Sequence, residues 1–80
     1  MADLQGIVRA LIEGERASRR QAAENHRLYA AMYAAESISH AAVDNYKAAA
    51  ECCVESAKHA SWAQRHASMA DDLDDPDGDA

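Results

Sequence analysis

The chain has 80 residues, and 20 of its 39 apolar residues are alanine, with no phenylalanine and a single tryptophan. That supply allows one small domain and excludes a large independent core, so self-association or docking on a partner is expected. The formal charge of −6 is carried by residues 71–80, with six aspartates and no base, while residues 1–70 balance eight acids against eight Lys/Arg. A neutral body with an acidic end disfavours direct nucleic-acid binding and suits a basic partner surface.

Asp3 is placed to cap a first, short helix carrying Leu4, Ile7, Val8, Leu11 and Ile12, the i, i+3, i+4, i+7, i+8 spacing of one amphipathic face. Gly14 is the expected stop. From Glu15 to Ala70 there is neither glycine nor proline, and alanine is the strongest helix former, so this whole stretch is expected to be helical. Ser18 and Gln21 fit a capping box. Arg16, Arg19, Arg20 and Arg27 alternate with Glu15 and Glu24, which favours a solvated, ion-paired face over phosphate contact.

Leu28, Tyr29, Met32 and Tyr33 form an apolar patch expected to pack in a helical core. Glu36 to His40, with Ser37 and Ser39, is the weakest helical segment, and the turn between two long helices is expected there. The alternative is one rod, which over Glu15–Ala70 would be ~84 Å long. In the last helix, positions 42, 46, 49, 53, 56, 60, 63, 67 and 70 make a heptad seam of mostly small residues that admits a close helix. The expected fold is therefore all-α: a short N-terminal helix and an antiparallel helical hairpin in residues 1–70. A disordered acidic tail is expected over 71–80, where aspartates surround Pro76 and Gly78.

No basic segment precedes an apolar core at the N-terminus, so no signal peptide is expected, and no stretch is apolar enough to span a membrane. Cys52 and Cys53 are neighbours on a helix, about 100° apart, which disfavours a disulfide and suits a reducing cytoplasm. Cys52, Glu55, His59 and His66 fall at partial metal-ligand spacing, yet His59 and His66 are two turns apart. A complete site would need His26 or His40, and no metal or other cofactor is expected. Adjacent Ser39 and His40 diverge on a helix and no glycine-rich loop exists, so the chain is not expected to be an enzyme. Trp62 has two readings: the N-terminal helix folds over it, covering Leu4, Ile7 and Leu11 as well, or it anchors a partner.

In size, alanine-rich helical content and lack of catalytic motifs, the chain resembles the small acidic inhibitors encoded by phages and mobile elements, anti-CRISPR proteins above all. The resemblance implies a stoichiometric inhibitor that occludes the nucleic-acid-binding surface of a basic host complex, such as a CRISPR effector, in the bacterial cytoplasm. The matching residues would be Asp71, Asp72, Asp74 and Asp75, continued by Glu51 and Glu55, with Trp62 as anchor. The alternative is a self-associating structural or scaffolding protein such as a phage assembly component, which the alanine seam favours.

Overall fold

The computed structural model describes residues 3–73, which form two helices, α1 (Leu4–Ala42) and α2 (Tyr46–Asp72), with no strand among them. They run antiparallel as a hairpin with extents of 65 × 24 × 11 Å, so the molecule is a single layer and each helix has one neighbour. Asp3 caps α1 as its position suggests, its carboxylate accepting from Gln5 N at 3.2 Å.

Three expectations are corrected. The separate N-terminal helix does not exist: α1 continues through Gly14, which has ordinary helical backbone and no positive φ. A glycine inside a helix costs about 1 kcal/mol relative to alanine, too little to stop a helix extended on both sides. Ser18 accordingly lies inside α1 and caps nothing. The turn is not at 36–40 either. Ser37 does not use its hydroxyl against its own backbone; it donates across to Ala49 O at 2.8 Å, and that bond keeps the segment helical and inside the pair. Finally, Asp71 and Asp72 are the last residues of α2 rather than the start of a tail. Asp74, Asp75 and the rest of the expected tail lie outside the described residues.

The turn is made by Val43, Asp44 and Asn45. Asp44 takes the left-handed conformation (φ 61°), Asp44 N donates to Ala41 O at 3.1 Å, and Asn45 N donates to His40 O at 2.9 Å. This is the Schellman pattern with aspartate where glycine is usual. Asn45 then caps α2, its side chain accepting from Ala48 N at 3.3 Å, while Tyr46 Oη donates to Asp44 Oδ1 at 3.0 Å. Because L-residues resist left-handed backbone, Asp44→Gly should stabilise the hairpin, on the order of 1 kcal/mol. A thermal melt followed by circular dichroism reads it, and a lower Tm would refute the strain.

The packing line is strictly heptad on both helices. On α1 positions 12, 16, 19, 23, 26, 30, 33, 37 and 40 are all buried or half-buried; on α2 the line is 49, 52, 56, 59, 63, 66, 70 and 73. Four of the nine expected α2 seam positions are therefore on the packing line, namely Ala49, Ser56, Ala63 and Ala70. The rest is displaced: Cys52, His59, His66 and Leu73 face α1, whereas Ala42, Tyr46 and Ala60 are exposed, Ala67 lies at the margin, and Cys53, though exposed, still brings its Sγ to 3.0 Å from Ser37 Oγ. Alanine offers little area to bury, and the larger rings of His59 and His66 cover more of α1. Close approach along the small row is visible in Ser56 Oγ donating to Ala30 O at 2.7 Å, matching the bond from Ser37 to Ala49 at the other end.

What the interior lacks is as informative. The buried apolar residues are Ala23, Ala49, Ala63 and Ala70, and no large side chain is fully buried among the described residues. Leu28 and Met32, expected in the core, point outward; of their patch only Tyr33 lies on the inward line. Residues 4–15 of α1 extend past Leu73, the last described residue opposite them, by roughly 18 Å, and Arg16 Nη2 reaches Leu73 O at that boundary.

Candidate interaction surfaces and the histidine cluster

The most structured side-chain constellation sits midway along the hairpin, where α1 supplies Arg19, His26, Tyr29 and Tyr33 and α2 supplies His59, Trp62 and His66. These residues recur at helical spacing, so each helix presents them along one edge of the packing line. His26 lies at the centre: its ring centroid is 5.0 Å from His59, 5.4 Å from Trp62 and 5.5 Å from His66, on which it stacks at 6°. His59 in turn meets Tyr29 at 5.2 Å, stacks on Tyr33 at 5.5 Å and takes the edge of Trp62 at 5.1 Å.

The hydrogen bonds define protonation. His26 Nδ1 and His59 Nδ1 are 2.8 Å apart, a contact in which one nitrogen donates and the other must be bare. His66 Nδ1 lies 3.2 Å from Arg19 Nη1, and since a guanidinium only donates, this imidazole nitrogen accepts. Burial first, then the neighbouring charges of His59 and His66, push the His26 pKa below its ordinary value.

The four residues with partial metal spacing are drawn to four different partners. Cys52 turns to Glu36 (3.9 Å), Glu55 pairs with Lys58 (3.2 Å), His59 bonds His26 and His66 faces Arg19. His26 does join His59 and His66 as such a site would require, but its ring stacks on His66 instead of converging on a common point. No group of three or more His, Cys, Asp or Glu among the described residues is arranged to hold a metal ion. The Cys52 thiol is pushed up by burial and then by the Glu36 carboxylate, which holds it in the unreactive protonated form.

The residues proposed for partner binding do not form one surface. Trp62 is 39% exposed and backed by His26 and His59. The expectation that the N-terminal segment folds back over it is overturned: α1 is unbroken through Gly14, and its first turns project beyond the end of α2, away from Trp62. Glu51 is exposed and Glu55 half-buried; Asp71 follows 16 residues later on the same helix, ~24 Å along the axis. The expected solvated arginine face is present only in part: Arg19 pairs with Glu15 at 2.9 Å and Arg27 with Glu24 at 3.3 Å, but Arg16 and Arg19 are half-buried on the line toward α2, where they reach Leu73 O and His66.

What sequence reasoning missed is the meeting of three imidazoles with an arginine. The signal was present, since His59 and His66 are one heptad apart and Arg19 and His26 are also one heptad apart, but it becomes visible only when the two helices are set antiparallel. No helix among the described residues is long and apolar enough to cross a membrane. No family model, curated protein or solved structure matches the chain.

Proposed function

We propose that the chain is a non-enzymatic protein-binding module, acting in the bacterial cytoplasm by packing the outer faces of its hairpin against other proteins. One observation carries this reading: thirteen large apolar or aromatic side chains, from Leu4 to Met69, are more than a third exposed, while the interior is alanine. A hairpin of this composition buries too little to be an end in itself, and exposed apolar faces of this extent mark interaction sites.

Its specific form is an anti-CRISPR-like inhibitor that occludes the nucleic-acid-binding surface of a basic host complex. Trp62, half-covered and rigidly backed, is the anchor that supports this form, since partly exposed tryptophan dominates interface energetics. The separation of Glu51 and Glu55 from Asp71 speaks against an extended phosphate mimic, so occlusion through helix packing is the favoured mechanism. The second reading is a self-associating structural component, favoured by the apolar outer face of α1.

A tagged pull-down from a lysate containing CRISPR effector complexes tests the inhibitor form. The expected result is stoichiometric recovery of an effector, with Trp62→Ala weakening capture by roughly 30-fold, the ~2 kcal/mol of an interface hot spot. Recovery of the bait alone would overturn it.

A further inference from the structure

The amphipathicity of α1 is inverted with respect to its own hairpin. The line facing α2 includes Arg16, Arg19, His26 and His40, whereas a second heptad line on the opposite face carries Leu4, Ile7, Leu11, Leu28, Met32 and Ala35. Every position of this second line from 4 to 35 is exposed, Leu4 to 73%, Leu11 to 69% and Leu28 to 61%, and none is charged. Its middle is polar and self-satisfied, Gln21 Nε2 donating to Asn25 Oδ1 at 3.0 Å.

We propose that this face is the dimerisation surface for a second copy of the chain, packed antiparallel along α1; the proposal rests on the reading of the hairpin as a binding module. The pattern is symmetric about its centre near Ser18 and Gln21. Turned end for end, it sets Leu4 against Ala35, Ile7 against Met32 and Leu11 against Leu28 of the other copy, with the polar middle facing itself. That is the self-complementarity a two-fold interface requires. The projecting first turns of α1, with no described residue of their own α2 opposite, come to lie along the second hairpin.

Area and charge point the same way. The chain exposes 5860 Å², against about 4,700 Å² for a folded monomer of its 8.6 kDa. The one-layer shape therefore leaves more surface open than a globular chain of this mass, and a stable interface needs ~800 Å² from each partner. A parallel pair would set the two α2 termini, each with Asp71 and Asp72, side by side. The antiparallel pair separates these acidic ends and opposes the α1 dipoles.

The test is the solution mass of the full chain by sedimentation equilibrium, for wild type, Leu11→Lys, Leu28→Glu and an equimolar mixture of the two variants. Wild type is expected at twice 8.6 kDa, and each variant alone at the single-chain mass, with dissociation raised at least tenfold. The mixture is expected to return to the doubled mass, because the introduced lysine of one copy then meets the introduced glutamate of the other; this rescue also excludes misfolding as the cause. A wild-type monomer, a dimer that neither variant weakens, or variants that the mixture fails to rescue would each overturn the interface. A monomer that still captures an effector would overturn the dimer and leave the binding module standing. A rescued dimer that captures no effector would support the dimer and remove the inhibitor form.

Discussion

Replacing Ala49 with leucine is expected to open the hairpin. Ala49 is 7% exposed on the small row of α2, and its carbonyl accepts the Ser37 hydroxyl that helps to bring the two backbones together. A leucine side chain set against that close contact pushes the helices apart. Separation stretches the Ser56–Ala30 and Ser37–Ala49 bonds and loosens the ring contacts of His26. Overpacking in a well-fitted interior costs about 1–3 kcal/mol, and for a chain of this size each kcal/mol lowers Tm by roughly 4–8 °C. Ala50→Leu, at an exposed position of the same helix, supplies the control and should stay within about 0.5 kcal/mol of wild type. Equal melting temperatures for the two variants would mean that the alanine row does not set the interhelical distance.

Acidification from pH 7.5 to 5.5 is expected to lower the melting temperature. The groups facing His26 are His59, Trp62 and His66 from α2; Arg19 contacts His66 and Tyr29 contacts His59. Arg19 is itself held by Glu15, and Glu55, one turn from His59, is engaged by Lys58. A proton added to His26 places a positive charge in the half-buried cluster, against the His59 and His66 rings packed on it. The folded-state pKa of His26 is lowered, so the unfolded chain binds this proton more readily. The stabilisation is complete above the unfolded histidine value near 6.5 and declines as pH falls below it toward the lower folded value. His26→Gln should flatten the dependence. A Tm that is constant or rises between pH 7.5 and 5.5 would contradict the lowered pKa of His26.

The sequence by itself determined that the protein is helical, because alanine density and the absence of glycine and proline between Glu15 and Ala70 act locally, through backbone propensity. It also determined the Asp3 cap, the Glu15–Arg19 ion pair and the inward row of Ala49, Ser56, Ala63 and Ala70, which follow from spacing along one helix. The turn was legible in principle, since Asp44 and Asn45 are residues that tolerate left-handed backbone and cap helices. It was missed because the serines at 37 and 39 gave a competing signal.

The tertiary structure alone decided where Ser37 donates, which half of the seam carries rings, and that His26, His59 and His66 meet. These depend on the register between two helices, a property of no single segment. It also decided that the leucines of α1 face outward. An amphipathic pattern reports which side of a helix is apolar; what that side is set against depends on where the neighbouring helix lies and where it ends. In this chain α2 packs on the alanine, histidine and arginine side of α1, because the small residues there admit close approach and the rings cover the remainder.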